Sequence, residues 1–189
     1  MNKKNQLNLM LDLETAAIAS DAAILSIAIV PFNLDGTVNT EVKYVANVDL
    51  TSCFLEGDRI DSDTQRWWLR QSPAARIQLL TAGKCPIRQA INEAYKYLAG
   101  LSEQYELVMY SRGMDFDFPI LEHALRKYAE PQSIPYAYWN KRDVRTILAT
   151  AGISKDDVPR VGDAHTALSD CYTQIAQVQA AYAKLKIEN

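Results

Sequence analysis

The stretch "NLMLDLET", residues 8–15, constrains this chain more than any other. An apolar run of this length reads as a buried strand. Yet it places Asp12 and Glu14 two positions apart at its end. Side chains alternate along a strand, so the two carboxylates share a face. Like charges side by side repel, and burying them unpaired is costly. Residues 1–21 offer no cation beyond Lys3 and Lys4. Solvation at a frayed strand end would compensate, and so would a divalent cation that takes oxygen ligands. The D-x-E pattern alone does not choose between them.

The remaining pattern gives that strand a sheet. Residues 22–33, "AAILSIAIVPFN", predict a second strand, and Asp35-Gly36 is a hairpin signal. Residues 37–48 predict a third, with Val38, Val42, Tyr44 and Val48 in alternation. Helices are predicted over 62–71, 73–82 and 86–101, the last with Ile87, Ile91, Ala94, Tyr95 and Leu98 as its stripe. A buried strand follows at 105–111, then a helix at 118–128. "YAYWNKRDV" is ambiguous, a short strand feeding a helix at 143–151. The last helix is predicted over 164–185, with Leu168, Ile175, Val178 and Tyr182 on its apolar side. Three leading antiparallel strands, then strands alternating with helices, predict an α/β fold: a mixed sheet with helices packed on it.

A chain of 189 residues suits a single domain over residues 1–189. With 48% hydrophobic and 23% charged residues it has the composition of an ordinary globular protein. The net charge of -3 excludes a uniformly basic nucleic-acid binder, so any such contact must be local. Cys53, Cys85 and Cys171 show no paired spacing, which argues against a zinc site or a disulfide framework and suits the cytoplasm. No apolar run is long enough to span a bilayer, so no membrane partner is expected.

Two later segments carry further acids. "YSRGMDFDFPIL", residues 110–121, puts Asp115 and Asp117 at a strand exit, where α/β sheets place ligands. Either aspartate could instead cap the following helix. "GDAHTALSDC", residues 162–171, puts His165 and Asp170 around the start of the last helix, with Asp163 as its expected N-cap. Five positions are about 140° apart on an ideal helix, so His165 and Asp170 are no i,i+4 pair. Asp170 would point at the sheet while His165 reaches in from the helix N-terminal end.

In this order the three motifs resemble the DEDDh 3′–5′ exonucleases of the ribonuclease-H-like superfamily, across residues 9–174. "RWWLRQS", "NKRDVRTIL" and "SRGMDFDFPIL" look closer to the branch of phage exonuclease A and bacterial 3′–5′ exoribonucleases. One departure is Ser111-Arg112, where many relatives carry His-Asn.

The resemblance implies a ribonuclease H-like mixed sheet and release of nucleoside 5′-monophosphates from single-stranded nucleic acid with a free 3′ end. Asp12, Glu14, Asp117 and Asp170 would hold two divalent cations, Mg²⁺ or Mn²⁺, roughly 3.5–4 Å apart. His165 would be the general base. Leu13, Thr15 and Ala16 would contact the terminal nucleotide. Trp67 and Trp68 point to different helix faces, so one is core; Trp68 is assigned to stack on a base. Arg112 and Arg142, with Lys141 and Arg145, are the basic candidates. A homodimer is the expected oligomer. RNA and DNA remain equally open. The alternatives are a catalytically inactive nucleic-acid-binding module and a proofreading-type exonuclease that works with a polymerase partner.

Overall fold

The computed structural model describes residues 4–73, 75–76, 85–131 and 133–186. Strand β1 (Asn5–Thr15) is central in a five-stranded sheet of order β3-β2-β1-β4-β5. β2 (Ile24–Phe32) and β3 (Tyr44–Asn47) extend it antiparallel on one side. β4 (Tyr105–Ser111) and β5 (Lys141–Asp143) extend it parallel on the other. The sheet is therefore mixed, with the three leading strands antiparallel.

Two apolar layers enclose it. Leu9, Leu11 and Leu13 of β1 enter one core with α1 (Leu50–Leu55), α2 (Ser62–Leu69), α3 (Ile87–Gln104) and α4 (Asp117–Tyr128). Met10, on the opposite face, enters a second core with α5 (Val144–Ala151) and α6 (Ala167–Leu185). A strand covered on both faces is apolar throughout rather than alternating, which is why residues 7–13 are a near-continuous greasy run. On α6 the inward stripe is Ala167, Cys171, Ile175 and Val178, with Leu168 and Tyr182 packed partly buried at its edges. No helix among the described residues is long and apolar enough to cross a membrane.

The third strand, an additional helix and the start of the last helix differ from expectation. Val38 does bridge Phe32 beyond the turn, where Asp35 accepts from the Thr37 N–H at 2.9 Å. Tyr44, however, pairs with Ile29, so five residues on one side face two on the other, and 39–43 must leave the sheet. The third strand is short for that reason. Helix α1 was not foreseen, although Asp49 caps it by accepting from Thr51. The last helix begins at Ala167, because Gly162 and His165 hold left-handed φ values of 71° and 61° that no helix tolerates. Its cap is Thr166, not Asp163. The ambiguous "YAYWNKRDV" is a 3-10 turn (Tyr138–Asn140), β5, and an Asp143 cap on α5 that accepts from Arg145 and Thr146. The helix expected at 73–82 lies mostly outside the described residues.

Candidate active site

The site forms where β1 and β4 part. Their parallel ladder ends at Met10 opposite Tyr110, while β1 stays paired with β2 as far as Thr15. Beyond Ser111, Gly113 at φ 140° turns the chain away. This leaves a notch at the carboxyl ends of two parallel strands, where α/β sheets bind ligands. Asp12 and Glu14 lie on the Met10 face of β1, at the end where α6 begins.

Asp117 fills the notch from α4. It is the first residue of that helix but makes no cap; Phe116 is the N-cap, without a side-chain bond. Its Oδ1 accepts the Leu13 N–H at 3.1 Å, and its Oδ2 accepts the Ser111 hydroxyl at 3.0 Å. The carboxylate thus takes a backbone donor that β4 no longer reaches. Asp115, its rival in the sequence, is exposed.

Asp170, in the first turn of α6, completes the group. Asp12, Glu14 and Asp170 each bring a carboxylate oxygen within 4.8 Å of the others. One turn further along α6, Gln174 donates its Nε2 to Asp12 Oδ1 at 2.6 Å, and its own Oε1 is buried with no partner. The guanidinium of Arg160 bonds to Asp170 Oδ1. Neither Gln174 nor Arg160 stood out in the sequence. The i,i+4 spacing of Asp170 and Gln174 was the available signal, since it puts both on one helix face.

Burial comes first in the electrostatics. It pushes the Asp12 carboxyl well above the usual range, with the charges of Asp117 and Glu14 adding to it. Glu14 is pushed up to about 8 by burial and then by Asp117. Asp117 rises to about 7 by burial, against the opposing hydrogen bonds from Ser111 and Leu13. These acids are held together at the expense of their charge.

His165 is directly before the Thr166 cap and lies outside the helix rather than on its face. Its ring meets Trp67 and Trp68 edge-on, with centroids 4.9 and 6.2 Å apart. Burial, then the nearby Arg160 charge, lowers its pKa. An apolar cleft of about 410 Å³ opens here, lined by Leu13, Thr15, Ile18, Trp67, Trp68 and Phe116, with Glu14 at its edge.

The cleft sorts the residues expected to contact substrate by position. Leu13 and Thr15 line it; Ala16 does not. Ala16 is fully buried, with its N–H on Ala23 O and its carbonyl accepting from Asp61. Trp68 is the core tryptophan, 5% exposed, donating Nε1 to Thr15 O at 2.9 Å. Trp67, at 43% exposed, is the ring offered to the cleft. The basic set also divides. Arg112 and Arg145 line a second cavity with Lys155 and Arg160. Lys141 is paired with Glu122 at 2.8 Å. Arg142 folds back on the carbonyls of Trp139 and Lys141, at 2.9 and 3.0 Å. Neither of these two lines the cavity that holds Arg112.

The family model of the Rv2179c-like 3′–5′ exoribonuclease domain matches residues 7–182, which take in every acid of the site. The chain belongs to this family of 3′–5′ exonucleases. The exonuclease is 26% identical over 203 aligned residues to an exodeoxyribonuclease of Enterobacteria phage T4, covering 91% of this chain and 87% of the relative. Among solved structures it resembles the zinc-bound ExoI–ssDNA complex of E. coli, with a TM-score of 0.67 and 14% identity over 97% of this chain and 42% of that one. It also resembles cell-death related nuclease 4, with a TM-score of 0.59 and 13% identity over 95% of this chain and 64% of that one. At such identities the likeness shows the fold alone, a mixed sheet with helices packed on both faces, and the chain spans less than two thirds of either of these structures.

Proposed function

We propose that this chain is a metal-dependent 3′–5′ exonuclease that removes nucleoside 5′-monophosphates from single-stranded nucleic acid. One observation carries the reading: three carboxylate oxygens within 4.8 Å of one another at a strand end, with Asp117 beside them. All donors are hard oxygens, which suits Mg²⁺ or Mn²⁺. Among the described residues Arg160 is the one cation within bonding distance of these acids, through Asp170, and the charge of Arg145 acts on Asp117 from further off. Asp12, Glu14, Asp117 and Asp170 would hold two such ions, which supply water activation and neutralise charge on the phosphate.

The chain's own residues do the rest. His165 takes the proton of the attacking water on a ring nitrogen; a lowered pKa keeps the ring neutral and able to accept near pH 7. Its packing on Trp67 and Trp68 fixes the ring plane. Leu13 and Phe116 form an apolar floor for the terminal base, and Trp67 offers a stacking face. Asp117, tied to Leu13 N–H, couples the strand that binds the nucleotide to the acids that cut it.

Single-stranded substrate suits an apolar cleft with an exposed Trp67 ring, on which an unpaired base can stack, and agrees with the ssDNA named in the E. coli ExoI complex. The family description names ribonucleotides and the phage relative deoxyribonucleotides, so both sugars are substrates to compare. The test is degradation of matched 5′-labelled RNA and DNA oligonucleotides with Mg²⁺, Mn²⁺ or chelator. A ladder shortening from the 3′ end that needs metal and vanishes in Asp12→Asn is expected. Intact oligonucleotides under every condition would overturn the reading.

A further inference from the structure

On the side of the acids away from the apolar cleft lies a cavity of about 560 Å³. Its walls come from the β4 exit, α5, residues 155–160 and α6. Four cations face it: Arg112, Arg145, Lys155 and Arg160. Among the described residues Asp156 is the one carboxylate in its lining. Arg160 is engaged by Asp170, and Arg112 donates to the neutral Gln177 Oε1 at 3.2 Å. The Arg145 guanidinium and the Lys155 amine have no hydrogen-bond or ion-pair partner among the described residues. Gly113 permits this crowding, because a Cβ there would stand 3.0 Å from Arg145 Nη1.

Gathering positive charge in a partly desolvated cavity is unfavourable unless something negative enters it. Arg112 feels it: burial, and then the Arg145 charge, lowers its pKa against the opposing charges of Asp12 and Asp156. A fork of guanidiniums suits the oxygens of a phosphate. Position narrows the choice of phosphate. The acid group lies between the two openings, sharing Glu14 with the cleft and touching the cavity through the Arg160–Asp170 pair. With the terminal base in the cleft and the scissile phosphate at the acids, the cavity is where the strand continues.

We infer that this cavity is a phosphate subsite, which takes a backbone phosphate on the 5′ side of the scissile linkage through Arg112, Arg145 and Lys155. The inference rests on the exonuclease reading for its direction along the strand. Arg160 adjoins both regions, and so couples occupation of the subsite to the acid that it contacts.

The experiment uses 5′-hydroxyl hexanucleotides with one internal linkage at a time replaced by a neutral methylphosphonate. Binding is read by fluorescence anisotropy in chelator, and degradation separately with Mg²⁺. For the wild-type chain, replacement of one internal linkage should weaken binding about tenfold, the size of a charge-assisted contact. In Arg145→Gln and Lys155→Gln that penalty should shrink, because the contact is already lost, while Arg145→Lys keeps part of it. Melting temperatures close to wild type establish that the variants fold. An equal penalty in wild type and both Gln variants, or no penalty at any linkage, would overturn the subsite. A penalty that behaves as expected in a chain that degrades nothing would leave the subsite standing and overturn the exonuclease reading instead.

Discussion

Asp12 and Asp58 are both buried aspartates, 9% and 8% exposed, and the chain treats them in opposite ways. Asp58 Oδ1 receives the Lys127 amine at 2.7 Å and the Tyr128 hydroxyl at 2.5 Å. Its counter-ion is built in, and the group ties the segment before α2 to α4. Asp12 receives a neutral amide from Gln174 and has Glu14 and Asp117 for neighbours. A buried charge needs a partner. Where the chain supplies one, the acid serves the fold; where it adds more acids, the partner comes from outside. Arg160 is the nearest thing to a built-in cation at the second place, and it goes to Asp170.

The same substitution at the two positions should therefore have opposite effects. Asp12→Asn should lower the rate of oligonucleotide degradation roughly a thousandfold, the scale of several kcal/mol of transition-state stabilisation. It should also raise the melting temperature of the chelated protein, since it removes a buried like charge. Asp58→Asn should leave degradation near wild type and cost about 1–3 kcal/mol, because Lys127 loses its charge partner while an amide oxygen can still accept. A lower melting temperature for Asp12→Asn in chelator would break the comparison.

Acidity sharpens it. Glu14 is raised to about 8, Asp117 to about 7, and Asp12 is raised as well. Between roughly pH 4.5 and 8 the folded, chelated protein holds more protons than the unfolded chain. Stability then falls as pH rises through that window. Thermal melts in chelator should decline across it, and saturating Mg²⁺ should remove most of the decline. A flat profile in chelator would mean the acids are not forced together as described. Asp12→Asn should flatten the slope; Asp58→Asn should not.

Much of this was legible before any coordinates. The strand 105–111 could be read from its apolar run, whereas the acids Asp12, Glu14, Asp117 and Asp170 are singled out by the resemblance of their order and spacing to an exonuclease family; strand ends and helix starts alone leave each of them open to a capping or solvated role. Asp117 could not be separated from Asp115 by sequence, since the deciding partner is the Leu13 N–H, 104 positions away. Trp67 and Trp68 could not be told apart for a similar reason: adjacent helix residues face apart, but which one is the more buried depends on where Thr15 lies. Arg142 was grouped with Arg112 for its charge alone, whereas in the structure it bonds to the carbonyls of Trp139 and Lys141. Gln174 and Arg160 are ordinary residues on a helix and in a loop, made notable only by long-range packing.

The smallest expected effects concern the two neutral donors. Gln174 and Tyr128 play parallel parts, each giving one hydrogen bond to a buried aspartate. Tyr128→Phe removes a donor from a carboxylate that keeps Lys127, so it should cost about 1–2 kcal/mol of stability and leave activity alone. Gln174→Leu removes the donor that orients Asp12 and also the buried Oε1 that has no partner. Its net effect on stability should therefore be slight, because loss of the bond is offset by loss of an unpaired polar atom. The change should appear in a metal titration of activity, as a midpoint about tenfold higher, the low end for a group that orients a metal-holding side chain. Activity at saturating Mg²⁺ should largely recover, since Asp12 itself is still there. An unmoved midpoint would mean that α4 and β1 already hold Asp12 in place, and that the Gln174 bond serves only to bury a polar side chain of α6.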